Sequence, residues 1–173
     1  MQKNTSKYFL TAAVYAIILF QRVKTMKKTL VSHSAAQTEQ IGELLAALLH
    51  RGDVVAFFGG LGAGKTAFVR GLARGLGVAG SVSSPTFSIV NVYPGSPMLC
   101  HFDMYRIDGW DDLCTTGFFD YAEDDAVLAV EWSENIEAVL PEHSIFVTIE
   151  PGETQTQRII TIEGDERLEN LGD

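Results

Sequence analysis

The octapeptide GGLGAGKT at residues 59–66 sets Gly59, Gly64, Lys65 and Thr66 at the spacing G-x-x-x-x-G-K-[ST]. Glycines let a backbone wrap closely round an anion, so that successive N–H groups and the positive end of a following helix point at phosphate oxygens. The expected cradle runs through Gly59, Gly60, Leu61, Gly62, Ala63 and Gly64 to Lys65, Thr66 and Ala67. Lys65 would add a point charge on the β- and γ-phosphates, and the Thr66 hydroxyl is placed to ligate magnesium. The buried-strand signal VVAFF just before the loop and the helical pattern after it are the context this chemistry needs. They count against the plain alternative of a glycine-rich turn.

Three further stretches carry candidate chemistry. In SSPTF, residues 83–87, Thr86 sits where switch-type NTPases keep a loop that senses the γ-phosphate. An ordinary Ser-Pro turn accounts for the same letters equally well. In HFDMYR, residues 101–106, Asp103 ends an apolar run and is the natural carboxylate to hold magnesium, directly or through water. Asp108, Asp111, Asp112, Asp124 and Asp125 compete on charge alone but belong to a polar stretch that reads as a solvated face. His101 shares a strand face with Asp103 and reads first as a structural histidine. Arg106 reaches either a phosphate or the nearby acids. In VEWSE, residues 130–134, Glu131 ends another apolar run, where a carboxylate can orient or deprotonate water. It is also a candidate third ligand of the metal. Trp132 reads by default as core.

These side chains need a scaffold that brings strand ends together. From Met26 onward, strand and helix signals alternate: KTLVSH as an edge strand, a Ser34-capped helix over 35–49, the strand DVVAFFG and a helix over 67–76. A hairpin follows, FSIVNVY to MLCHFDMY around PGSP, then short helix in 109–125, the strand AVLAVEW, and a helix over 133–140 stopped by Pro141. SIFVTIE and QRIITIEG form a last strand pair, and DERLENLGD is expected to be a polar, frayed tail. Alternation of this kind predicts a three-layer α/β fold of the P-loop type, a mixed sheet with a parallel core, antiparallel edge strands and flanking helices. The chain then divides into an N-terminal extension (1–25), one nucleotide-binding domain (26–164) and a tail (165–173).

Composition narrows the function classes. The 173 residues carry a net charge of -9, which disfavours a free-standing DNA or RNA binder, since such a protein needs a basic face. Cys100 and Cys114 fit neither a C-x-x-C pair nor a zinc site, and read as reduced thiols of a cytoplasmic protein. The apolar run at residues 8–20 is shorter than the roughly 18–20 residues that span a bilayer. It lacks a signal-peptide cleavage site, and Met26 makes a natural start for a compact domain. No membrane association is expected.

GGLGAGKT, SSPTF, HFDMYR and VEWSE, in that order, resemble the TsaE (YjeE) family of bacterial P-loop ATPases over about residues 28–163. The resemblance implies ATP and Mg2+ as ligands. It also implies hydrolysis in support of the machinery that places threonylcarbamoyladenosine on tRNAs reading codons that start with A. The implied partners are the threonylcarbamoyl transferase and its dimerising protein, with tRNA met only through that complex. Lys65, Thr66, Thr86, Asp103 and the Glu131–Trp132 pair match the family's site positions. One departure is Gly60, where the family usually has Asp, as in GDLGAGKT. Among rivals, a GTPase lacks its D-x-x-G and N-K-x-D signals, and a small-molecule kinase lacks a cluster of lid arginines. A nucleotide-dependent binding module with little hydrolysis uses the same loop and remains the alternative.

Overall fold

The computed structural model describes residues 25–85 and 87–172. Thr86 and the segment 1–24 with its apolar run lie outside the described residues. In chain order the elements are β1 (Met26–Ser32), α1 (Ala35–Ala46), β2 (Val54–Phe58), α2 (Lys65–Gly75), β3 (Val90–Tyr93) and β4 (Leu99–Asp103). Then come α3 (Trp110–Cys114), α4 (Phe118–Glu123), β5 (Val127–Glu131), β6 (Ile145–Pro151) and β7 (Arg158–Gly164). The strands form one sheet in the order β1-β7-β6-β2-β5-β4-β3. Strands β6, β2, β5 and β4 run parallel, and β1, β7 and β3 pair antiparallel at the two sides. This is the expected mixed sheet with a parallel core.

Side-chain alternation along the central strands sorts the core into two layers. Val55 and Phe57, Val127 and Ala129, and Leu99 face the layer of α1 and α2, with Phe68 and Leu72 packed on them. Val54, Leu128, Val130, Cys100 and Phe102 face the opposite way, onto Leu113 of α3 and Phe118 of α4. Strands buried on both faces read as continuous apolar runs, as VVAFF and VLAVE do. Asp103 and Glu131 are the last residues of their strands, sit opposite one another in register, and share the face that looks toward α2.

Helix α1 begins where Ser34 accepts a hydrogen bond from the Gln37 N–H. It packs against α2 so closely that a Cβ on Gly71 would lie 1.9 Å from the Glu39 carbonyl oxygen. A glycine that weakens an isolated helix is therefore the residue that lets these two helices touch. Arg70 and Arg74 bridge the same seam to Glu39 and Glu43.

Two segments differ from expectation. Residues 133–140 form two 3₁₀ turns, Ser133–Asn135 and Glu137–Val139, in place of a helix. The Ser133 hydroxyl donates back to the Val130 carbonyl at 2.7 Å and the Asn135 amide to the Met104 carbonyl at 2.8 Å, pulling the segment out of α-helical register. The tail does not fray: it forms a 3₁₀ turn, Glu166–Asn170, buries Leu168 and Leu171, and is tied by Lys28 to the carbonyls of Glu169 and Leu171. Among the described residues no helix is long and apolar enough to cross a membrane.

Candidate functional site

The loop from Gly59 to Gly64 leaves the carboxyl end of β2 and turns into α2 through glycines in left-handed backbone, with Gly59 at φ 138° and Gly64 at φ 112°. A Cβ on Gly59 would stand 2.5 Å from the Ile149 carbonyl oxygen, so the loop sits against β6 only with glycine there. Gly60 differs. A Cβ added at Gly60 meets nothing within 4 Å, and its φ is not left-handed, so an Asp at this position would fit without moving the loop.

A cavity of about 570 Å³ opens on one side of the loop, lined by residues 61–67 together with Ser84, Asp103, Tyr105, Glu131 and Trp132. Its size suits a small ligand. The Thr66 hydroxyl donates to Glu131 Oε1 at 2.7 Å, and the same oxygen lies 2.8 Å from His101 Nε2. Asp103 is held at both oxygens, Oδ1 accepting from the Tyr105 N–H at 3.2 Å and Oδ2 from the Ser84 hydroxyl at 3.1 Å. Thr66, Asp103 and Glu131, proposed from separate stretches of sequence, thus meet at one rim of the sheet.

Lys65 is buried, with its ammonium donating to the carbonyls of Gly59 and Gly60 and lying 3.8 Å from the centre of the Trp132 ring. Burial pushes its pKa below the ordinary lysine value, while Glu131, Glu134 and Asp103 pull in the other direction. Trp132 reaches this position in left-handed backbone, φ 59° and ψ 43°, a conformation costing on the order of 1–3 kcal/mol for a non-glycine residue. Its ring also packs on Tyr105 at 4.9 Å between centroids. Trp132 thus packs against the core cluster of Phe102 and Val130, as read from the sequence, and in addition caps the lysine.

The residues fit a magnesium–triphosphate pair by donor chemistry. Thr66, Asp103, Glu131 and Ser84 offer hard oxygen donors, and the loop offers backbone N–H groups beside a lysine. Among the described residues no three His, Cys, Asp or Glu side chains cluster to hold a metal unaided. That suits magnesium, which is held by few protein oxygens together with phosphate oxygens and water.

On the other flank of the loop a second cavity of about 570 Å³ shares Gly62, Ala63, Gly64 and Ala67 as a wall and adds Ser34, Thr38, Gln155 and Arg158. Arg158 Nε donates to the Ala63 carbonyl at 2.8 Å, bracing the loop from the β6–β7 hairpin. Sequence reasoning gave Ser34 only a capping role and did not single out Thr38, Gln155 or Arg158; the place of Arg158 beside the loop depends on the register of β7.

A glycine-rich loop between a central parallel strand and a helix, with two carboxylates at the ends of neighbouring strands, defines the P-loop fold. Residues 32–160 match the family described as threonylcarbamoyl adenosine biosynthesis protein TsaE. A Treponema pallidum protein named tRNA threonylcarbamoyladenosine biosynthesis protein TsaE is 39% identical over 119 residues, covering 69% of this chain and 88% of the relative. Its namesake in Streptomyces coelicolor is 41% identical over 131 residues, covering 72% and 88%. The crystal structure of YdiB from Bacillus subtilis superposes with a TM-score of 0.68 at 32% identity, covering 82% of this chain and 87% of that one. The chain belongs to the TsaE family.

Proposed function

We propose that this protein binds and hydrolyses ATP with magnesium, and that hydrolysis supports cycling of the threonylcarbamoyl transferase complex that modifies tRNA. The observation that carries the reading is the meeting of Thr66, Asp103, Glu131 and Lys65 round one cavity at the P-loop. The names of the relatives supply the pathway. The β- and γ-phosphates would lie in the cradle, with the base directed to the cavity of Ser34, Thr38, Gln155 and Arg158. Thr66 and Asp103, with Glu131 beside them, would hold the magnesium ion, which would supply positive charge to offset that of the phosphates. Lys65 turns from the Gly59 and Gly60 carbonyls to the phosphates. Glu131, freed of the Thr66 hydroxyl, orients the attacking water and accepts its proton.

A second reading has its own support. Lys65 is capped and Thr66 is tied to Glu131, while Leu61 and Tyr105 are exposed beside the site. These features suit a clamp recognised by its partners when ATP is bound, with hydrolysis only resetting it. Steady-state ATP hydrolysis by the chain alone, and with the transferase and its dimerising protein, separates the two. The hydrolytic reading expects a large rise with the complex, and in Glu131→Ala a kcat lower by roughly 100-fold with ATP affinity retained. A rate unmoved by the complex leaves the clamp.

A further inference from the structure

We propose that His101 is a positioning residue for Glu131, donating Nε2–H to Oε1 so that the carboxylate keeps its aim after the Thr66 hydroxyl has turned away. The inference rests on the hydrolytic reading above. His101 lies in mid-strand on β4, fully buried, in a place an aliphatic side chain would fill at no polar cost. What the imidazole adds is one directed contact, 2.8 Å from Nε2 to Glu131 Oε1. A carboxylate only accepts, so the hydrogen belongs on Nε2. Nδ1 is buried and finds no partner among the described residues, so a hydrogen there would have nothing to receive it. The geometry therefore places the hydrogen on Nε2.

Oε1 accepts two hydrogen bonds, from Thr66 on α2 and from His101 on β4. Once Thr66 serves the metal, the contact from α2 is lost and the one from the sheet persists. The β4–β5 register fixes that contact, because His101 stands beside Ala129, two residues before Glu131, on the same face. A rigid strand thus sets the angle of a side chain that would otherwise swing on three torsions. Misalignment of this kind slows chemistry without weakening binding.

Two substitutions test reach. Gln puts its amide nitrogen the same number of bonds from Cα as His Nε2; Asn puts it where Nδ1 lies. Partner-stimulated kcat, KM and direct magnesium–ATP affinity would be measured for both, with imidazole 15N chemical shifts of the unmutated chain at the assay pH. In His101→Asn, kcat should fall by roughly tenfold with ATP affinity unchanged, and His101→Gln should recover most of it. The 15N spectrum should show the hydrogen on Nε2, with Nδ1 bare. Equal rates for Asn and unmutated protein, equal losses for Asn and Gln, or a hydrogen on Nδ1 overturn the proposal. An Asn variant that does not fold leaves the decision to the spectrum and to His101→Gln, for which a rate well below that of the unmutated chain also overturns it. An unmutated chain with no hydrolysis at all brings down the hydrolytic reading and this one together, whereas fast His101→Asn brings down this one alone.

Discussion

The two ends of β2 each carry a nest of buried charge, and they are built in opposite ways. At the amino end, Arg167 from the C-terminal turn engages Asp53 at 2.6 and 3.2 Å, Asp165 at 2.7 Å, His50 Nδ1 at 2.9 Å and the Leu48 carbonyl at 3.1 Å. All three guanidinium nitrogens are used. The planar fork of arginine suits two carboxylates at once, and these contacts raise the pKa of Arg167 and lower that of Asp165. At the carboxyl end the groups are engaged provisionally. Lys65 turns back on its own loop, Thr66 occupies a carboxylate, His101 keeps a bare nitrogen, and Trp132 holds a strained backbone to cap the ammonium. A nest that satisfies itself fastens the fold. One with spare valences suits the ligand site proposed above.

The sharpest way to break this contrast is Arg167→Met, which leaves Asp53 buried without its main partner. It should lower unfolding free energy by about 3 kcal/mol in a denaturant titration and leave magnesium–ATP affinity alone. An altered affinity would mean that the two ends are coupled. Next in size is Lys65→Ala, expected to weaken magnesium–ATP by on the order of 100-fold in a calorimetric titration while changing the melting temperature little. A strongly destabilised Lys65→Ala would put the lysine with the fasteners. Smaller is the optical effect of moving the ammonium off the Trp132 ring: adding magnesium–ATP should change tryptophan emission, and Trp132→Phe should remove the change although Trp110 remains. Smallest is the acid limb of stability. The Arg167 guanidinium holds the Asp165 carboxyl below the ordinary range, so its contribution is complete at neutral pH and is lost as pH falls below about 4. Asp165→Asn should flatten, without abolishing, that limb, because Glu39 is held low by Arg70 in the same way.

How much of this was readable in the letters follows from how far each signal travels along the chain. The P-loop, Asp103 and Glu131 were legible because each sits at the end of its own apolar run, and parallel strands bring such ends to one rim. The role of His101 was not, because its partner lies 30 residues on and depends on the β4–β5 register. Arg158, 95 residues from the carbonyl it braces, was equally hidden. The tail was misjudged on composition: its polar letters outnumber its two leucines, yet Leu168 and Leu171 both reach the core. Gly71 looked like a weakness because helix propensity sees one helix, and the reason for it lies on the other.

That seam also decides what carries the loop. With carbonyls of α1 where side chains of α2 would ordinarily stand, the two helices touch backbone to backbone and form a single slab bearing the glycine-rich loop at one corner. The exposed ring of Tyr105 lies off that slab, on the segment that follows β4.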